Sequence, residues 1–395
     1  MKQYLSAKEA AAELSIQVPT LYAYVSRGLL RSEEADGKTR ARKYLREDVE
    51  ALKQRKEMRR DPSKVVESAL HFGAPVMESA ITLIENGRFY YRGYDAVQLV
   101  HDHTFPEIAS LIWSGKFDDE TLNVEPFLLS EHPNLPVTDA FQAILPIAAA
   151  QDFAAYDLSA TAVTQTGARI LQLLTAVFTQ TSTTPNLPIP QQIQHAFTPN
   201  NESAANLFNA ALILCADHEL NISSFTARCV ASAGSTPYAV VIAGLSALQG
   251  PKHGGYTERV EALFREAATP ENAARTIASR LRRGEEIPGF GHPLYPNGDP
   301  RGQALMELVE VAYPEEAGMR LARKLETAVT RSIGLKPNID FGLVAMVNSL
   351  NLPAGSALGL FALGRIVGWI GHALEQYQAD QLIRPRARYI GRQPI

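Results

Sequence analysis

The chain has 395 residues, 46% of them apolar and 20% charged, with only two cysteines, Cys215 and Cys229. That length can bury a large core split among two or three domains, and so few cysteines exclude a disulfide scaffold and point to a reducing cytoplasm. The net charge of -4 is unevenly spread, with 14 basic and 9 acidic residues in the first 60 against 24 and 33 in the rest. A basic segment thus precedes an acidic body, which predicts an appended module with its own partner. The opening MKQYLSAKEAAAELS lacks the apolar core of a signal peptide and is too acidic for a transit peptide.

Residues 4 to 57 read as a small helical unit. YLSAKEAAAELS predicts a helix and IQV a turn; PTLYAYVSRGLL predicts a second helix, with Pro19 in its first turn and Gly28 past its end. RSEEADGKTRARKYL reads as a basic hairpin turning at Asp36-Gly37, followed by a charged helix from about Arg46 to Arg59. The second helix offers Thr20, Tyr22, Tyr24 and Ser26 beside a basic wing of Arg31, Lys38, Arg40, Arg42 and Lys43. Such a unit either contacts DNA or serves as a packing knob. Through SAKEAAAELSIQVPTLYAYVSRGLL and KYLREDVEAL it resembles the winged helix-turn-helix of the MerR and excisionase families, which implies DNA contact through Thr20, Tyr22, Arg40, Arg42 and Lys43.

From Asp61 onward helical periodicity dominates, as in ATAVTQTGARILQLLTAVF and ALMELVEVAY, and no run of alternating strands is evident. QTSTTPNLPIPQQIQHAFTPNN reads as a polar loop between helices. Gly355 to Leu374 is long and apolar enough to raise a membrane span, but Arg365 sits at its centre. A guanidinium there costs about 2.5 to 3.5 kcal/mol on insertion scales, so a buried helix of a soluble protein is expected, with an anion to partner the arginine.

Several ionisable residues fall at element boundaries, where a scaffold can present them to a substrate. Asp217, His218 and Glu219 cluster at a helix end, and another helix begins after Asn221 with Ser223 and Ser224 as cap candidates. A metal site there would need a second ligand pair at zinc spacing, and none is present. His253 precedes a helix that starts after Gly254-Gly255, so the positive helix terminus favours a neutral imidazole able to donate to a carbonyl; the alternative is a capping or exposed histidine. His292 lies in a glycine and proline loop ahead of Asp299-Pro300, an N-cap and first helical residue, with Arg301 in the first turn. Together, His292 and Arg301 can take the oxygen and carboxylate of one keto acid. Asp340, in KPNIDFGLVAMVNSL, is either an N-cap or a desolvated carboxylate with a raised pKa, suited to removing a proton from carbon. His101 and His103 read as exposed loop residues.

GRFYYRGYD, ADHELNISSFTARCVAS, GPKHGG, GFGHPLY with DPR, NIDF, and LFALGRIVGWIGHALEQ with LIRPRARYIG follow, in order, the motifs of the citrate synthase family. The chain resembles that family from about Ile81 to Gly391. The resemblance implies an all-α fold of large and small helical domains behind the winged helix-turn-helix: residues 1–60 for the appended domain, 61–219 and 331–395 for the large domain, and 220–330 for the small one. It further implies a cytoplasmic homodimer, with no membrane contact, that condenses acetyl-CoA or propionyl-CoA with oxaloacetate. His253, His292 and Asp340 would be catalytic, and His218, Arg301, Arg365 and Arg384 would bind oxaloacetate, Arg384 from the partner subunit. Asn221 and Ser223 would orient the histidines. Acyl-CoA would be the co-substrate, with no metal or other cofactor.

The chain departs from the family pattern on the CoA side. Pro293, Leu294 and Pro296 follow His292, Gly342-Leu343-Val344 follow NIDF, and Tyr256-Thr257 follow His253-Gly254-Gly255. These changes keep open an alternative, a metabolite-sensing DNA-binding regulator whose citrate-synthase-like body is catalytically weak.

Overall fold

A computed structural model describes residues 4–14, 16–27, 30–34, 42–46, 48–49, 52, 77–124, 134–181, 187–392 and 394. The chain divides into two compact units, residues 1–78 and 79–395.

In the first unit, β1 (Tyr4–Ser6) leads into α1 (Ala7–Glu13) and α2 (Val18–Ser26), followed by β2 (Ser32–Glu34) and β3 (Arg42–Leu45). The strands pair antiparallel in the order β1-β3-β2, with Leu5 opposite Tyr44. The helix expected from Tyr4 therefore begins three residues later. The Ser6 hydroxyl accepts from the Glu9 N–H while Glu9 accepts from the Ser6 N–H, a capping box that stops the helix from extending backward. Leu5, Leu14, Leu21, Leu30, Tyr44 and Val49 form the core of this unit. Gly28, Lys38, Arg40, the Asp36-Gly37 turn and most of the helix expected from 46 to 59 lie outside the described residues.

The second unit opens with a hairpin that the sequence reading missed. β4 (Thr82–Glu85), β5 (Arg88–Tyr91) and β6 (Tyr94–Asp95) form an antiparallel sheet. Its first turn is Asn86-Gly87, both at positive φ (53° and 75°), and Asn-Gly between short apolar runs is a strong hairpin signal. Helices then dominate: α3 (Ala96–Asp102), α4 (Phe105–Ser114), α5 (Val137–Ala149), α6 (Ala160–Thr179), α7 (Ile189–Phe197), α8 (Ala204–Cys215), α9 (Ile222–Ala231) and α10 (Pro237–Leu248). The remainder are α11 (Tyr256–Ala267), α12 (Ala273–Arg282), α13 (Pro300–Ala312), α14 (Ala317–Ile333), α15 (Ile339–Ser349) and α16 (Ser356–Ala379). α7 corrects the polar loop expected there: Ile189 and Ile193, one turn apart, are fully buried, and Gln192 bonds to Gln172, so tertiary contacts hold a helix of low apolar content.

α16 is the central helix. It alone among the described helices is long and apolar enough to cross a membrane, but its side chains are almost all buried in the protein core, as expected from Arg365. Gly364 lets α8 lie against α16, since a Cβ there would sit 2.7 Å from the Leu212 carbonyl oxygen. One turn on, the Gly368 N–H donates to the Ala216 carbonyl at 2.9 Å. This close approach brings the end of α8 and the residues that follow it, 215 to 218, beside Arg365.

Candidate active site

The break after α8 is held from below. Asp217 is fully buried; its Oδ2 accepts from the Thr82 hydroxyl at 2.6 Å and the Glu219 N–H at 3.1 Å, and Oδ1 lies 3.2 Å from His372 Nε2. Glu219 adopts φ +54°, which turns the chain sharply after His218. The cap of α9 is Asn221, not Ser223 or Ser224: Asn221 Oδ1 accepts from the N–H groups of both serines. The same oxygen lies 2.7 Å from Ser223 Oγ, which in turn lies 2.8 Å from His253 Nε2. Ser223 Oγ donates to Asn221 Oδ1 and also contacts His253 Nε2, so this bridge ties the His253 ring to the cap of α9.

His253 occupies the turn between α10 and α11. A Cβ at Gly255 would clash with the backbone carbonyl oxygen of Gln249, so only glycine permits this tight turn. His292 Nδ1 accepts from the Leu294 N–H at 3.2 Å, which assigns the ring proton to Nε2. Its loop is strapped to the segment ahead of α15: the Gly291 N–H donates to the Lys336 carbonyl at 2.8 Å, and the Asn338 N–H to the Gly289 carbonyl at 2.9 Å. Asn338 also caps α15, which removes the capping alternative for Asp340.

The histidine rings converge. His218 and His292 are 5.1 Å apart between ring centroids, and Tyr295 contacts both, with its hydroxyl 2.8 Å from His218 Nε2. On the other flank, the Phe361 ring lies 6.3 Å from the His253 ring and 4.9 Å from the Arg365 guanidinium. Arg301 donates through Nε and Nη2 to the two oxygens of Asp299, at 3.0 and 2.8 Å. Two of its five N–H donors are thus taken by protein, and the second Nη2 proton and those of Nη1 are left for a substrate. Asp299 Oδ2 also accepts from the Ile339 N–H at 3.2 Å, one residue before Asp340.

Arg365 is buried, with no carboxylate in salt-bridge range among the described residues. Its Nε donates to the Cys215 carbonyl at 2.8 Å, while Nη2 has no hydrogen-bond partner among the described residues. Asp340 Oδ1 is likewise buried and has no hydrogen-bond partner among the described residues. Burial raises the Asp340 pKa to about 7. Burial, reinforced by Arg365 and Arg301, lowers His253 to about 3, and burial with Arg301 lowers His292 to about 4. His218 is also pushed well down, chiefly by burial. All three imidazoles are therefore neutral at neutral pH and able to act as hydrogen-bond donors rather than as cations.

Of the residues singled out in the sequence, this centre gathers His218, Asn221, Ser223, His253, His292, Arg301, Asp340 and Arg365. Arg384 lies exposed in the extended segment after α16. Tyr295, Asp299 as the partner of Arg301, and Phe361 were missed. The spacing of Tyr295 three residues after His292 in a proline-bounded loop was the available signal, but only the fold shows that it faces His218. Tyr295→Phe is expected to lower stability by about 1 kcal/mol, the size of one net hydrogen bond; a denaturant titration checks it. No group of three or more His, Cys, Asp or Glu residues is arranged to hold a metal among the described residues.

In the first unit, Thr20 and Tyr22 are exposed on α2, while Tyr24 packs into the small core. Arg31 forks onto Asp48 through Nε and Nη2 at 3.0 and 2.9 Å. Arg42 donates to Ser32 Oγ at 2.8 Å, and Lys43 Nζ sits 4.7 Å from the Tyr4 ring centroid.

An inward-facing set of neutral histidines, a buried carboxylate and a buried guanidinium on an almost wholly helical scaffold defines a carbon-acid enzyme centre. Residues 69–386 match the family model described as citrate synthase, C-terminal domain, and the chain belongs to the citrate synthase family. Residues 5–61 match the family model described as MerR HTH family regulatory protein. The chain is 40% identical over 202 residues to citrate synthase 2 of Bacillus subtilis, a match spanning 49% of this chain and 54% of that protein. It is 30% identical over 362 residues to the citrate synthase of Haloferax volcanii, covering 82% of this chain and 95% of that one. Among solved structures, citrate synthase from Thermotoga maritima superposes with a TM-score of 0.71 at 26% identity, covering 82% of this chain and 95% of that one.

Proposed function

We propose that this chain condenses a short acyl-CoA, acetyl-CoA or propionyl-CoA, with oxaloacetate to release citrate or 2-methylcitrate and CoA. The observation that carries it is a buried centre in which Asp340 Oδ1 and Arg365 Nη2 both lack hydrogen-bond partners among the described residues, beside two neutral imidazoles. Unpaired buried polar atoms are costly unless a ligand completes them.

In this reading an oxaloacetate carboxylate pairs with Arg365, and the second is met by Arg301 Nη1 and His218. Asp340 takes a proton from the acyl α-carbon while His253 stabilises the thioester oxygen, giving an enol or enolate. That carbon attacks the ketone carbon of oxaloacetate as His292 Nε2–H protonates the ketone oxygen. Water then cleaves the thioester to release the product acid and CoA. Side chains carry every step, with acyl-CoA as co-substrate and no metal or other cofactor required.

We further assign residues 61–219 and 331–395 to a large domain and 220–330 to a small one that closes over the substrates and excludes water. Arg384, exposed on the extended tail, would complete the site of a second copy in a homodimer. The cytoplasmic location is supported by the free thiols of Cys215 and Cys229 and by the burial of the one long apolar helix. Thiol release with oxaloacetate and either acyl-CoA tests the condensation; no release from wild type with either donor would favour the metabolite-sensing regulator, which needs the arginines but not the base.

For residues 1–60 we propose DNA contact through Thr20 and Tyr22 of α2 with the Arg40, Arg42 and Lys43 wing. Duplex affinity is expected to fall linearly on a log–log plot against salt, and Arg42→Ala to reduce the slope by about 1. A salt-independent signal in a fluorescence anisotropy titration would remove the proposal.

A further inference from the structure

The turn bearing His253 and the loop bearing His292 must hold a common geometry if they polarise two carbonyls of one reacting pair, yet no backbone hydrogen bond joins them among the described residues. What links them is one face of α11. Tyr256, Arg259 and Val260 fall at i, i+3 and i+4, so their side chains share that face. The Tyr256 hydroxyl donates to Glu286 Oε1 at 2.7 Å, and Arg259 Nη2 donates to Glu286 Oε2 at 3.1 Å. The Arg259 guanidinium also stacks 4.9 Å from the Tyr256 ring centroid. Below them a Cβ at Gly289 would lie 3.1 Å from Val260 Cγ2, so the loop is pressed onto the helix there.

Each end of this linkage is tied to a catalytic residue. The Tyr256 N–H donates to the His253 carbonyl at 3.0 Å, so the tyrosine closes the His253 turn. Glu286 begins the run through Gly289 and Gly291 to His292, and Gly289 and Gly291 are the residues bonded to the approach to Asp340. An exposed ion pair such as Arg259–Glu286 contributes little by itself, so the half-buried tyrosine hydroxyl is the specific element.

We propose that Tyr256 and Glu286 form a positioning clasp that fixes the His253 turn against the His292 loop, with Arg259 holding the carboxylate in place. The clasp rests on the condensation proposed above. It acts on the alignment of two electrophiles and not on substrate affinity, and misplacements of about 1 Å are enough to slow such reactions severely.

Thiol release and thermal melts test it on the full chain. Tyr256→Phe is expected to lower kcat about tenfold, with the oxaloacetate KM within about twofold of wild type. Glu286→Ala should match it, Glu286→Gln, which keeps an acceptor for the hydroxyl, should recover most of the loss, and the double variant Tyr256→Phe with Glu286→Ala should lose no more than either single. A fall in melting temperature with kcat unchanged in an active protein overturns the clasp while leaving the condensation standing, as does full additivity in the double variant. An inactive wild type overturns the condensation, and the clasp with it.

Discussion

Asp340→Ala is expected to abolish thiol release, lowering kcat by about three orders of magnitude, within the range that a positioned general base contributes. The reason is placement. Asn338 takes the capping role of α15, so the Asp340 carboxylate is left with an unpartnered Oδ1 in the centre that holds the histidines. Because burial raises its pKa to about 7, kcat is expected to fall as pH drops through that value and the base becomes protonated. The same shift has a stability sign. The folded state holds this proton more tightly than the unfolded chain, so the carboxyl adds nothing unfavourable below its ordinary value of 3.8, and the cost of ionising it grows as pH rises toward about 7. Asp340→Asn should therefore raise the melting temperature relative to wild type more at pH 8 than at pH 4. Thiol release retained by Asp340→Ala would sink the assignment of the base.

Arg365→Ala is expected to raise the oxaloacetate KM by about two orders of magnitude, as loss of a buried charge pair of about 3 kcal/mol requires. Among the described residues this guanidinium donates to the Cys215 carbonyl and contacts Phe361, with no carboxylate in salt-bridge range. Burial lowers its pKa, yet a guanidinium stays charged, so the site carries a desolvation cost that the buried Asp217 carboxylate offsets only in part. Removing it relieves that cost while losing packing. The two effects oppose each other, and the melting temperature should move by less than about 5 °C. Initial rates against oxaloacetate concentration and a thermal melt separate binding from folding; an unchanged KM would show that the substrate carboxylate is held elsewhere.

Much of this centre was legible before the fold was known, for a local reason. His253, Arg301 and Asp340 stand at helix starts, and His292 in a loop, all flagged by glycine, proline or asparagine, and those signals act over a few residues. Arg365 stood out as a charge that an apolar helix cannot bury without a purpose. The hairpin of β4 and β5 was equally local, and its Asn86-Gly87 turn was overlooked because the surrounding periodicity is helical. The start of α1 was misplaced for a different reason: Tyr4 and Leu5 have no local signal against a helix, and their strand exists only because β3, some 40 residues away, pairs with them.

By itself the sequence determined the helical body, the basic appended unit and the residue types of the acid–base set, because periodicity, capping and charge are written in short windows. Tertiary structure alone decided which partner each side chain meets. It bound the Arg301 fork to Asp299, placed Tyr295 on His218, and joined Tyr256 to Glu286 across 30 residues. No short window encodes these outcomes, since each depends on the close approach of distant elements, such as α8 against Gly364 of α16. A buried polar atom is known to lack a partner only when everything packed around it is in place.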